Sequence, residues 1–518
     1  MPTPDPTLYT ATAGQAKHHF TLDVRFPVYA IAWVDDERVL LAGGGGGSRS
    51  GVGNRVSLYR LSPTARTLTL LHSLALSPTE DAPMTIAIRP LSSPSPTSPR
   101  SPSSAAASSS RDASAAVPQS QPQSEGFSLV AGINSPAPDL ARGVNENLRM
   151  WEWRRVSVTE GEEERWEVEE KGRRGTMRTL SGGGADGEGE GDEYQKVTAF
   201  TRPSSSSSAA AAPPLLAIGS TNAQLSLLSW PEVEEVWPPV FYHSAGSGAG
   251  GKAGEKGGEG GQKKEEEEVV DVDFDDEGKL LVGTSPLSLR IYPCSPSTST
   301  PGAVRYLTRG PEPVQVIERP KLREGVRCGF RAAKFGRLST SHNLYTIVNT
   351  HPVPPSSLSQ KQRKAFERKT PKKAFVSLWD ADSWRLVKTR TVSNRPVTGF
   401  EVSEDGRRLA VGGSDLSLGV LDAETLRPIT TILQAHAFPA TCLRFNPAGT
   451  VLISGSADNS VRIVLVPSGS PSSSSTTASS TATYAALLLT LLVLVLAVAV
   501  QTGYVSAEVL EAWMGAAR

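Results

Sequence analysis

Between residues 43 and 54 the chain reads GGGGGSRSGVGN: five consecutive glycines, two more after them, and a closing asparagine. Glycine reaches φ values closed to other residues and lets a partner come close to bare N–H and C=O groups. Two phosphate-binding readings of such a loop fail. No Gly-Lys-Ser/Thr follows, as a P-loop requires, and the loop leads into the strand-like RVSLYRL, where a dinucleotide fingerprint would open a helix. A plain flexible linker fits poorly as well. Patterned segments adjoin the loop on both sides, RVLLA before it and RVSLYRL after it, and Asn54 abuts the second.

Other residues capable of chemistry are sparse. His436 and Asp458 lie in AHAFPATCLRFNP and SGSADNSVRIV, and Trp379-Asp380 closes VSLWD. In repeats of this pattern the His and Asp hydrogen-bond within one unit, so they read as structural and not catalytic. Cys294, Cys328 and Cys442 are widely spaced and odd in number. They fit neither a disulfide framework nor a zinc site and read as structural thiols of a reducing compartment. No carboxylate pair, metal cluster or nucleophile–base arrangement stands out, so no acid, base or nucleophile is assigned and no covalent chemistry is expected. Basic and acidic residues number 53 each, for zero net charge. A nucleic-acid binder needs a basic excess or stripe. The only candidate, KQRKAFERKTPKK at 361–373, reads as a solvated loop, and no nucleic-acid partner is expected.

The elements that must position these residues are short strand-like runs divided by turn residues, with no long helical period between them. VYAIAW, RVLLAGG and NRVSLYRL lead; LLAIGS and QLSLLSW follow. Three later stretches, beginning at VVDVDF, VTGFEV and TCLRF, share one template. Each has a strand, a turn of Asp-Glu-Gly, Glu-Asp-Gly or Pro-Ala-Gly, a second strand, Gly-Thr or Gly-Ser, and a third strand. Strand–turn–strand repeats at roughly 40-residue spacing are the signature of WD40 blades, which predicts an all-β, seven-bladed WD40-type β-propeller. A two-sheet sandwich is the alternative, and the repeats argue against it. Low-complexity inserts at about 91–124, 181–191 and 244–268 carry too little apolar surface to order and are expected to stay disordered. The expected organisation is a tail over 1–20, the propeller over 21–467, a Ser/Thr-rich linker over 468–481, a transmembrane helix over 482–505, and a lumenal tail over 506–518.

The transmembrane expectation rests on Ala485 to Val500, AALLLTLLVLVLAVAV, which is apolar except for Thr490. Sixteen helical residues span about 24 Å, short of the ~30 Å hydrocarbon core. Ala482 to Tyr484 and Gln501 to Val505 extend the segment to a usable length and put Tyr484 and Tyr504 at the interfaces. A short span suits the thinner endoplasmic-reticulum bilayer. The first thirty residues hold no uninterrupted apolar run that could serve as a signal peptide, so the large domain is expected in the cytosol on a single-pass anchor.

Beyond the glycine loop, several segments carry a family resemblance. They are AGIN at 131–134, VNENLR at 144–149, YQKVTAF at 194–200, VVDVDF at 269–274, PVTGFEVSEDG at 396–406, GGSDLSLGVLD at 412–422, AHAFPATCLRFNP at 435–447 and SGSADNSVRIV at 454–464. With these the chain resembles the endoplasmic-reticulum exchange factors that start COPII coat assembly, also called prolactin regulatory element-binding proteins. The resemblance implies a cytosolic propeller that promotes GDP release from a Sar-type small GTPase at the endoplasmic-reticulum membrane. It also implies that the glycine loop binds a potassium ion and projects toward the GTPase. Potassium is well matched by neutral carbonyl oxygens. Residue by residue, Gly43, Gly44, Gly45 and Gly46 match the family's glycine run, Gly51 its later glycine, and Asn54 the asparagine that closes the loop. Gly47 extends the run, and Gly53 stands where a proline is common, so a looser loop and a weaker ion site are expected. Asn134, Asn145 and Arg149 match family motifs and are expected to link blades by hydrogen bonds. A membrane-tethered WD40 scaffold without exchange activity is the alternative. A transcription regulator is disfavoured by the neutral charge and the anchor.

Overall fold

Alternation of apolar residues with turn glycines folds here into seven antiparallel sheets arranged as the blades of a propeller. The structure is a computed structural model; it describes residues 7–11, 18–47, 51–91, 126–156, 164–178, 193–203, 213–242, 267–295, 310–322, 325–370 and 372–467. The innermost strands of blades 1 to 7 are Val28–Trp33, Thr85–Pro90, Gln195–Phe200, Asp271–Phe274, Val326–Phe335, Val397–Val402 and Ala440–Phe445. Three further strands follow outward in blades 1 to 6. Second strands such as Leu215–Ser220, Arg408–Gly413 and Val451–Ser456 are buried at every position, because a blade packs on each face. That is why they read as continuous apolar runs where a half-solvated strand would alternate.

The ring is closed by a strand from the other end of the chain. His19–Asp23 pairs antiparallel with Ser460–Leu465, His19 opposite Val464 and Asp23 opposite Ser460, and so supplies the outer strand of blade 7. Leu8–Thr10 pairs with Thr67–Ala75 on the outer edge of blade 1. Both strands begin inside the segment read as a tail; each covers an edge that would otherwise stand open.

Turns joining first and second strands are laced from blade to blade along one rim. Asp36 Oδ1 accepts from Asn446 Nδ2 at 3.0 Å and from Ala448 N at 2.7 Å, which ties blade 1 to blade 7. Asp276 Oδ2 accepts from Leu338 N at 2.7 Å, and Arg408 Nη1 donates to Gly449 O at 3.1 Å. The Glu-Asp-Gly turn of the template requires its glycine. Gly406 has φ +72°, and a Cβ there would stand 1.9 Å from Arg337 O. Deeper in, Asp273 holds the Arg337 guanidinium at 2.7 and 2.6 Å, and Asp271 holds Lys334 Nζ at 2.7 Å, so blades 4 and 5 share a buried charged seam.

Three sequence readings meet the structure differently. KQRKAFERKTPKK is no loop over most of its length: Gln360–Lys369 is a helix. Its start was legible in Ser359-Gln-Lys-Gln362, a capping box in which Gln362 Oε1 accepts from Ser359 N at 2.9 Å. Cys294 and Cys328 are buried and all three thiols are free; burial raises Cys294 well above the usual thiol range and Cys442 up to about 12. Finally, most of each low-complexity insert, the linker and the span over 482–505 lie outside the described residues. No helix among those described is long and apolar enough to cross a membrane.

His436 shows how the blades constrain protonation. Its Nε2 lies 2.7 Å from Ser454 Oγ and its Nδ1 2.9 Å from Ser460 Oγ, with Asp458 Oδ2 3.5 Å away. Burial lowers its pKa to about 4, outweighing the pull of Asp458 toward the charged form. The unfolded chain binds this proton near 6.5 and the folded chain only near 4. Stability is therefore complete above the higher value and falls as acid carries the pH down to the lower one. The difference amounts to about 3 kcal/mol. Urea unfolding followed from pH 7 to pH 4 is expected to show this loss, and His436→Gln is expected to flatten it.

Candidate functional site

The glycine loop joins the second and third strands of blade 1, Arg38–Gly43 and Arg55–Ser62, and lies against the linker leading to blade 2. Close backbone approach explains its first glycines. A Cβ on Gly43 would sit 1.8 Å from Pro27 O. Gly44 has φ +144° and donates to Pro27 O at 3.0 Å, and a Cβ on it would fall 2.5 Å from both Cα and Oδ1 of Asn54. Gly45 N donates to Val52 O at 3.1 Å and closes the loop on itself.

Asn54 is the pin. It is 2% exposed, and its Oδ1 accepts from Gly46 N at 2.9 Å. Its Nδ2 donates toward three carbonyls of the linker: Glu80 O at 2.9 Å, Ser77 O at 3.2 Å and Asp81 O at 3.4 Å. The Asn54 carbonyl accepts from Leu76 N at 2.9 Å. One carboxamide thus fastens the loop to the junction of blades 1 and 2. Gly43, Gly44, Gly45, Gly46 and Asn54 are brought together. Gly51, at φ +77° with nothing within 4 Å of its Cβ position, stands on the open limb, and Gly53 faces the Arg55 guanidinium. Residues 48–50 lie outside the described residues.

Behind the pin, Glu80 is buried and pairs with the equally buried Arg149, while Arg173 approaches to 3.4 Å. Asn134 Nδ2 donates to Glu193 O at 2.8 Å, and Asn145 Nδ2 donates to Asn134 Oδ1 at 3.0 Å. Asn134 and Arg149 therefore tie blade 2 to the linkers on either side of it, whereas Asn145, expected to link blades, bonds Asn134 and Ser135 within blade 2. Sequence reasoning missed the linker itself, Ser77 to Asp81. Its only signal was SPTED, an ordinary turn composition.

An ion-binding role can be tested against the oxygens near Gly47. The position of an added Cβ there has Thr79 O at 3.5 Å, Glu80 O at 3.8 Å and Asp81 Oδ1 at 3.9 Å. Two neutral carbonyls and one carboxylate oxygen thus lie around one point of the loop, and oxygen donors of this kind suit a large monovalent cation. Burial raises the Asp81 carboxyl above its ordinary value, with a hydrogen bond from Asn134 acting the other way. A cation nearby would offset that burial cost. No cluster of His, Cys, Asp and Glu able to hold a metal ion occurs among the described residues.

Comparison with known proteins finds one repeat match and one partial relative. The family model for the WD domain, G-beta repeat, matches residues 427–464, which hold the outer strand of blade 6 and blade 7 up to its closing strand. SEC12-like protein 2 of Arabidopsis thaliana is 26% identical over 87 residues, 17% of this chain and 22% of that protein. The match thus spans about a fifth of the relative's length. Among solved structures, the crystal structure of Chaetomium thermophilum Raptor aligns with 89% of this chain and 29% of its own, at 12% identity and a TM-score of 0.48. The WD40-type propeller of seven blades stands on the repeat match and the sheet topology together.

Asn54→Ala removes the acceptor of Gly46 N and leaves three linker carbonyls without their shared donor. A loss of about 1–3 kcal/mol is expected in chemical denaturation, with faster amide exchange at Gly46. Gly44→Ala is expected to destabilise at least as much, because its Cβ meets the pin itself.

Proposed function

We propose that this chain is a guanine-nucleotide exchange factor for a Sar-type small GTPase at the endoplasmic-reticulum membrane, where GDP release starts assembly of a COPII coat. One observation carries the reading. The glycine loop is pinned at its base by buried Asn54 and open at Gly51, so a fixed stem presents backbone to an incoming protein. The similarity to SEC12-like protein 2 and the family segments of the sequence support it. The apolar span over 482–505 would keep the activity on one membrane.

Exchange of this kind needs no bond-making residue on the factor. A surface that binds the nucleotide-free GTPase better than the nucleotide-bound form lowers nucleotide affinity by the same factor. A coupling of about 1–3 kcal/mol corresponds to roughly 5–150-fold. The work falls to the loop stem. Asn54 holds the spacing between loop and linker, and Gly43 to Gly46 keep the backbone free of side chains that would hold a partner off. A potassium ion would be held by Thr79 O, Glu80 O and the Asp81 carboxylate and would supply positive charge that orders the loop.

Residues 1–467, whose ring is closed by its own strands, are expected to speed release of a fluorescent GDP analogue from the cognate GTPase, and Asn54→Ala to abolish most of that effect. An unchanged release rate with the unsubstituted fragment would leave only a tethered scaffold. Replacing potassium by sodium is expected to slow exchange; equal rates in the two salts would remove the ion from the reading.

A further inference from the structure

The helix Gln360–Lys369 buries no residue, although it sits between the second and third strands of blade 5 on the rim that carries the glycine loop. Phe366 is its foothold: Gly325 lies beneath the ring so closely that an added Cβ would be 3.0 Å from Phe366 Cζ. With Phe366 turned inward, Lys364 and Arg368, one helical turn apart, border a concavity of about 730 Å3 between the helix and the turn into blade 6. Lys372 and Arg395 complete its cationic lining; Glu367, Thr370 and Asn394 are the other residues around it.

None of these four cations forms an ion pair among the described residues. Buried charges elsewhere in the ring are paired, as in Asp273–Arg337, Asp271–Lys334 and Glu80–Arg149. Four uncompensated cations around one hollow repel one another, and a single nearby Glu offsets only part of that cost. The lining also limits what can enter. It has no aromatic side chain on which a nucleobase could stack, and no apolar pocket to anchor the side chains of a peptide. Guanidinium and ammonium groups together suit phosphate oxygens, the first as a fork and the second as a point charge.

We propose that this groove is a binding site for a compact ligand carrying clustered phosphate monoesters, the chemistry of a phosphorylated polyol. The assignment does not depend on exchange activity. Two probes distinguish its sources: inositol hexakisphosphate as the free form, and vesicles containing phosphatidylinositol 4,5-bisphosphate as the membrane form.

Calorimetry of residues 1–467 with inositol hexakisphosphate at physiological salt is expected to show saturable binding. The double variant Lys364→Glu, Arg368→Glu is expected to weaken it by about tenfold or more. Lys388→Ala, on the exposed outer strand of blade 5, is expected to leave it unchanged. Vesicle flotation that follows the same pattern assigns the lipid headgroup; calorimetric binding without flotation assigns the free phosphate. The substituted side chains are exposed, so an unchanged melting temperature is expected. Should the double variant melt early, Lys364→Gln with Arg368→Gln, which removes both charges and keeps helix propensity, takes its place in the titration. The proposal is overturned by absence of saturable binding to both probes, by equal affinity in the folded variants, or by equally effective displacement by polyglutamate or an oligonucleotide.

Discussion

A propeller blade is a sheet with two buried faces, and it has no way to cover them alone. Leu216, Ala217 and Ile218 of blade 3, or Leu452 and Ile453 of blade 7, are within a few percent of complete burial only because another blade lies on each side. Every blade therefore depends on the ring being closed, and closure depends on the pairing of His19–Asp23 with Ser460–Leu465. The two strands are more than 400 residues apart, so the whole ring is held by contacts that form only when the chain's ends meet.

The rim lacing and the buried charges follow from that closure. Asp36 meets Asn446 and Ala448 only across the closed seam, and Trp33 Nε1 reaches Arg444 O at 3.3 Å over the same boundary. The loop stem of blade 1 draws on the same rigidity. Asn54 binds carbonyls of a linker whose position is fixed by Glu80, and Glu80 is fixed in turn by Arg149 of the next blade. A loop rich in glycine would otherwise give up much of its geometry to chain entropy.

Much of this was legible in the sequence. The shared template marked blades 4, 6 and 7 with their turn glycines, and the glycine run with Asn54 marked the loop. Blade 5 was less visible. Its first two strands, Val326–Phe335 and Asn343–Pro352, are separated by an irregular turn and followed by a helix, and they interleave Arg, Lys, Asn and Thr with the apolar residues. Lys334 is charged where a core strand should be apolar, and Arg337, just past the end of that strand, is buried too; their reason is Asp271 and Asp273, some 60 positions earlier. The linker Ser77 to Asp81 escaped notice for a related cause. It acts through backbone carbonyls, and main-chain oxygens leave no mark on composition. The closing strand was hidden by its brevity, five residues with His at one end and Asp at the other.

The last strand of blade 7, Ser460–Leu465, runs from the rim of the glycine loop toward the laced rim, where Val466 N donates to Thr450 O at 2.8 Å. The chain therefore departs from the side that the loop does not use. Because Ser460–Leu465 is paired along its length with His19–Asp23 on one side and Val451–Ser456 on the other, a pull along it would act on those hydrogen bonds together and not one at a time. The loop is coupled to that seam through Pro27, which follows the closing strand and accepts from Gly44 N at 3.0 Å, so a load on the ring would be felt at the base of the loop.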